Sequence, residues 1–127
     1  MEDVHHVAVI VSDYLRPKQF YTEILGTKVI AETYRGERDS YKLALEFSDG
    51  SKIELFSFPN PPKRLNYPKA CGLRHLALKV KDMGSCVSYL ANKGVSCESI
   101  KVDKLTKMKY TFCKDLDSLP VEFYQTY

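Results

Sequence analysis

Two histidines and two glutamates carry the chemistry legible in this sequence. His6 lies 48 residues before Glu54, and His75 lies 47 residues before Glu122. Imidazole nitrogen and carboxylate oxygen both suit a divalent transition metal of borderline hardness, and two of each form a four-donor set. In octahedral geometry that set leaves two positions for water or substrate. Taken singly, a histidine in an apolar strand is more often a hydrogen-bonded core residue. A glutamate in Lys52-Ile53-Glu54 is more often the solvent face of an alternating strand. The recurrence of both residue types together, at nearly equal spacing, is what points to a metal.

The equal spacing belongs to an internal repeat. His6-Val-Ala-Val-Ile-Val-Ser-Asp13 and His75-Leu-Ala-Leu-Lys-Val-Lys-Asp82 both fit H-x-A-x-x-V-x-D at a shift of 69, and Phe20 falls on Tyr89 at the same shift. Gly26 falls on Gly94, and Lys52-Ile-Glu-Leu-Phe56 on Pro120-Val-Glu-Phe-Tyr124, at a shift of 68. One lost residue therefore aligns two half-chains.

Each half predicts the same elements. Residues 4–11 are apolar and β-branched and read as a strand. Asp13 and Pro17 open a helix, with Pro17 near its first position, an apolar stripe of Phe20, Tyr21 and Ile24, and Gly26 as its stop. Residues 27–34 predict a strand, and 41–47 and 51–58 a hairpin around Asp49-Gly50. The second half predicts a strand over 73–80, a helix capped by Asp82 and ended by Gly94, and strands over 95–102, 107–113 and 119–125. The expected fold is α+β: two tandem β-α-β-β-β modules, residues 1–58 and 72–127, joined by a proline-rich linker at 59–71. Alternation along a strand puts His6 on one face with Ala8 and Ile10, and His5 on the other. His5 aligns with Arg74 rather than His75 in the repeat and is set aside.

Composition excludes several classes. Lys+Arg exceed Asp+Glu by 19 − 16 = 3 over 127 residues, with the charges mixed, so no nucleic-acid footprint is expected. No apolar run approaches ~20 residues, so no membrane span is expected. The opening Met1-Glu2-Asp3 lacks the pattern of a secretory signal, which predicts a cytoplasmic protein. Cys71, Cys86, Cys97 and Cys113 form no C-x-x-C pair and are expected as reduced thiols.

The paired β-α-β-β-β modules and the H…E…H…E set resemble the vicinal oxygen chelate superfamily, and within it glyoxalase I-like (lactoylglutathione lyase-like) proteins of the bleomycin resistance fold. The resemblance covers essentially the whole chain. In that superfamily such paired modules together form an open eight-stranded barrel-like sheet around a metal site, and the same is expected here. Ile53-Glu-Leu-Phe-Ser-Phe-Pro59, Pro61-Pro62 and Gly72-Leu-Arg-His-Leu-Ala77 are similar to a bacterial subgroup of small glyoxalase-like proteins. The resemblance implies metal ligands His6, Glu54, His75 and Glu122, with nickel, cobalt, zinc or manganese as the ion. It implies proton transfer on a metal-chelated hemithioacetal of a 2-oxoaldehyde such as methylglyoxal, through an enediolate, with Glu122 as base and Glu54 as its partner. It also implies a homodimer. Alternatives within the superfamily are an epimerase, a thiol transferase of the fosfomycin-resistance type, a dioxygenase, and a non-catalytic binding or resistance protein. Glyoxalase I commonly carries Arg four residues after the first ligand, where this chain has Ile10, and Asn four after the first Glu, where it has Phe58. Those changes argue against glutathione as the thiol. The usual D-P-D-G turn is Asp115-Leu-Asp-Ser118. Arg35, Arg38, Lys42, Arg64 and Arg74 are candidates to hold a different anionic substrate, and Tyr34, Phe56, Phe58, Tyr110 and Tyr124 to line an apolar pocket.

Overall fold

The computed structural model describes residues 1–126; Tyr127, the last residue of the second expected module, lies outside them. The chain divides into two compact units, Met1–Lys63 and Arg64–Tyr127, and the division falls inside the proline-rich segment 59–71.

The first unit runs β1 (Val7–Val11), helix α1 (Leu15–Gln19) continued by a π-turn over Phe20–Ile24, β2 (Lys28–Arg35), β3 (Ser40–Glu46) and β4 (Lys52–Ser57). Its mixed sheet has the order β1-β4-β3-β2, with β1 parallel to β4 and the other pairs antiparallel. The second unit runs β5 (Leu76–Val80), α2 (Met83–Asn92), β6 (Lys101–Val102), β7 (Lys109–Lys114) and β8 (Pro120–Gln125), ordered β5-β8-β7-β6 with the same parallel and antiparallel senses. The eight expected strands thus form two four-stranded sheets, one per repeat.

Alternation decides the faces. Val9, Val11, Leu43, Leu45, Ile53 and Leu55 are buried, and Phe20 and Tyr21 from the helical segment are buried with them. Lys18 donates to Glu32 of β2 at 2.5 Å and Tyr14 stacks on Tyr41 of β3 at 4.0 Å, which fixes the helix on that face. The opposite face carries Ala8, Ile10, Glu54, Phe56, Lys42 and Ala44. In the second unit Val121, Phe123, Thr111 and Cys113 are buried with Met83 and Leu90 of α2. Gly26 and Gly94 follow the two helices at φ 78° and 80°, the left-handed step that a glycine takes without steric cost.

Several boundaries differ from expectation, each for a local reason. β1 begins at Val7 and β5 at Leu76, so both histidines precede their strands rather than lie within them. α1 begins at Leu15, which makes Pro17 its third residue; the missing N–H is still among the unpaired first four. The helix then widens, as the Leu25 N–H reaches the Phe20 carbonyl at 3.0 Å. The strand expected over 95–102 shrinks to Lys101–Val102. Residues before it run beside β7 without a ladder: the Glu98 N–H reaches the Phe112 carbonyl at 2.8 Å, and the Thr111 hydroxyl donates to the Glu98 carbonyl at 2.7 Å. The other expected strands shift by one to three residues at their ends.

Candidate functional site

Glu54 sits at the middle of the first sheet, with Ala8 on one side and Ala44 on the other in register. Two small neighbours leave room for its carboxylate on the open face, where the residue as a whole is only 9% exposed. His6, two residues before Ala8, reaches over it and brings Nε2 to 3.3 Å from Glu54 Oε2. The other oxygen, Oε1, lies 3.4 Å from Lys42 Nζ. The second nitrogen of His6, Nδ1, shares a hydrogen bond of 2.8 Å with His5 Nδ1, the two rings meeting edge to face at 5.1 Å. His5 therefore orients His6, contrary to the expectation that it turns away. Strand alternation does not apply to residues that precede the strand.

The second unit repeats this arrangement. Glu122 is paired in register with Ala77 and Phe112. His75, again two residues before the alanine, places Nε2 at 3.0 Å from Glu122 Oε2. Its ring packs edge-on against Phe112 at 5.3 Å, and its Nδ1 is buried without a partner. Among the described residues Glu122 has no cation on its other oxygen, which distinguishes it from Glu54.

Each pair fits a metal on chemical grounds. Ligands at about 2.1 Å from an ion and at right angles to each other stand about 3.0 Å apart; the second pair has that spacing at 3.0 Å and the first is slightly wider at 3.3 Å. A ligating imidazole is ordinarily fixed through its other nitrogen, as His5 fixes His6. Among the described residues no group of three or more His, Cys, Asp or Glu side chains could hold a metal ion; each unit offers two donors.

Comparison with known proteins gives the family. The profile of the Glyoxalase/Bleomycin resistance protein/Dioxygenase superfamily matches residues 3–123. The chain belongs to that superfamily. YwkD of Bacillus subtilis (strain 168) is 49% identical over 125 residues, 98% of each chain. YaeR of Escherichia coli (strain K12) is 47% identical over 125 residues, 98% of this chain and 97% of that one. The structure of a glyoxalase family protein from Enterococcus faecalis matches with a TM-score of 0.91 at 39% identity, over 97% of both chains. The superfamily's name joins enzymes with a resistance protein, so membership leaves the reaction to be argued from the site.

The structure sorts the remaining candidates of this glyoxalase-superfamily chain. Arg35, at the end of β2, donates from Nη2 to Ser40 Oγ at 2.9 Å and lays its guanidinium against Phe56 at 4.9 Å and Phe58 at 5.8 Å. Lys42 also lies against Phe56, at 5.9 Å. Arg35, Lys42, Phe56, Glu54 and His6 are thus linked through contacts in one unit. Arg38 is exposed in a single 3₁₀ turn over Gly36–Arg38. Arg64 is committed to the chain entering β5: it donates to the carbonyls of Leu73 and Arg74 and, at 2.9 Å, to Asn66 Oδ1. That anchors the backbone beside His75. The Arg74 side chain is exposed. Tyr124 donates to Asp103 Oδ2 at 3.0 Å and contacts the Thr106 hydroxyl. The Asp103 carboxyl is held below the ordinary range, first by the Leu105 N–H and then by Tyr124. Sequence reading weighed His5 and set it aside, and it missed Asp103 and Thr106, for which the pattern offered no signal.

No helix is long and apolar enough to cross a membrane among the described residues. All four cysteines are free.

Proposed function

We propose that the chain is a metal-dependent, glyoxalase I-like lyase or isomerase. It moves a proton between adjacent carbons of a thiol adduct of a 2-oxoaldehyde such as methylglyoxal, in the cytoplasm. His6, Glu54, His75 and Glu122 would hold one divalent ion per site, nickel, cobalt, zinc or manganese. That ion, when bound, supplies Lewis acidity at the substrate's oxygens. In this reading the two half-sets come together across a homodimer, His6 and Glu54 from one chain and His75 and Glu122 from the other.

The observation that carries the reading is the difference between the two glutamates within otherwise matched pairs. Glu54 has one oxygen toward His6 and the other toward Lys42. It is held from both sides and serves as a fixed ligand. Glu122 has one oxygen toward His75. Its other oxygen is the base that takes the proton from one carbon and returns it to the next. His5 and Arg64 position the two histidines, one through the ring and one through the backbone.

The test is turnover of methylglyoxal with a panel of low-molecular-weight thiols by the metal-loaded protein. Glu122→Gln should retain fold and metal and lose at least about 100-fold in rate, the size of a lost general base. Full turnover by Glu122→Gln removes that residue from the mechanism. Metal-loaded wild type that binds thiol adducts without turnover would assign the chain to the binding members of the superfamily. A monomer in sedimentation would contradict the homodimer.

A further inference from the structure

The repeat supplies an internal control for what the first unit's open face carries. Register aligns Lys42 with Phe56, which is two residues past Glu54, and Tyr110 with Tyr124, two past Glu122. On the neighbouring strands Thr33 pairs Lys42 and Lys101 pairs Tyr110. Two residues further on stand Arg35 in the first unit and Asp103 in the second. The same two places therefore hold two cations in one module and a tyrosine and an aspartate in the other. The fold does not require positive charge there.

The two cations are not consumed by their surroundings. Among the described residues Lys42 has one carboxylate partner, Glu54. Arg35 has none: it donates to the Ser40 hydroxyl, and its Nε is buried without a partner. Arg35 and Lys42 are diagonal neighbours on one sheet face, within mutual reach of long side chains. Both lie over the Phe56 ring, the guanidinium carbon at 4.9 Å and the ammonium at 5.9 Å from its centroid, which screens the guanidinium from part of the solvent. Further along the same face Glu46 is in register with Lys52 and Lys28, so around Arg35 and Lys42 the carboxylate in reach is Glu54, one against two cations, and the face is short of negative charge there. A dication on Glu54 would widen that deficit.

We propose that Arg35 and Lys42 form a cradle for an oxyanion of the substrate, a carboxylate or a phosphate, beside Glu54. This deepens the functional reading above and rests on Glu54 standing at the reacting end of the substrate. It places an anionic group two strands from the first ligand pair, with the planar guanidinium offering a two-pronged contact. It also makes Lys42 the link between metal and anion. Each would bind more tightly in the presence of the other, by the same factor in both directions.

The experiment titrates the full chain with succinate and, separately, inorganic phosphate, metal-free and nickel-loaded, following amide shifts and heat. Wild type should bind one of the two, more tightly when loaded, and the preferred anion identifies the group. Arg35→Gln and Lys42→Met should each weaken that binding at least tenfold while keeping their nickel uptake and circular dichroism. Lys28→Met, an equal charge loss on the same strand as Arg35, should leave it unchanged. Equal affinity in all four proteins, equal weakening by Lys28→Met, or no binding of either anion overturns the cradle. Anion binding that depends on Arg35 and Lys42 in a chain that takes up no nickel supports the cradle and removes the metal reading instead.

Discussion

Removing the ammonium from Lys42 tests how firmly the first unit holds its buried carboxylate. Lys42 Nζ and Glu54 Oε1 are 3.4 Å apart, with side-chain exposures of 42% and 12%. Coulomb's law at an effective dielectric of about 20 gives about 5 kcal/mol of gross attraction at that distance. Desolvation of the carboxylate and solvent around the half-exposed lysine cancel most of it, leaving about 1 kcal/mol, the upper end for such pairs. The metal-free Lys42→Met protein should therefore unfold at a temperature lower by about 2–5 °C for a chain of this size. The assay is thermal and urea unfolding of both proteins at low and high salt. The difference should shrink as salt rises, because part of the pair is open to solvent. A Lys42→Met protein as stable as wild type at every salt concentration would refute the reasoning that Glu54 needs this partner.

Other expectations follow from local geometry. Ser118 closes the turn before β8 at φ 68°, so Ser118→Gly should stabilise the chain by about 0.5–1 kcal/mol in urea unfolding, since glycine takes that conformation without a Cβ penalty. A less stable variant would mean that the serine side chain contributes more than the strain costs. Asp82 caps α2 through the Ser85 N–H at 2.7 Å, and this bond first of all holds its carboxyl below the ordinary range. A depressed folded-state value means stability that is present above the ordinary carboxylate pKa and lost as pH falls through the folded one. Asp82→Asn should flatten that acid limb of the stability profile, and an unchanged limb would contradict the cap. Burial pushes the Cys113 thiol up to about 12, whereas Cys71 is exposed. A disulfide reagent at pH 8 should label Cys71 rapidly and Cys113 only on unfolding; rapid labelling of Cys113 would contradict its burial.

Much of the fold was legible because a repeat doubles every signal. A lone His-x-Ala-x-x-Val-x-Asp reads ambiguously, but two copies in step with two glutamates locate matching strands, helices and donors. Within each half the structure brings a histidine to a glutamate, His6 to Glu54 and His75 to Glu122, at hydrogen-bond range. What stayed hidden depends on contacts between residues far apart in sequence or on irregular backbone. The segment before β6 is β-branched enough to read as a strand, yet the Thr111 hydroxyl takes the Glu98 carbonyl that a ladder would have used. The widened turn at Phe20–Ile24 leaves the hydrophobic stripe intact and so has no mark in the pattern. The five basic candidates look alike in sequence. Only register separates Arg35 and Lys42, which share a face with Glu54, from Arg64, which is tied to backbone carbonyls.

The account stands or falls on the two His–Glu pairs acting as halves of one metal centre. Its most direct measurement is elemental analysis of purified protein after loading with nickel and gel filtration, for wild type and for His6→Ala and His75→Ala. The account predicts one ion per chain in wild type and loss of that ion in either variant, although the histidines belong to different units. Absence of retained metal in wild type, or retention after only one of the two substitutions, would contradict it.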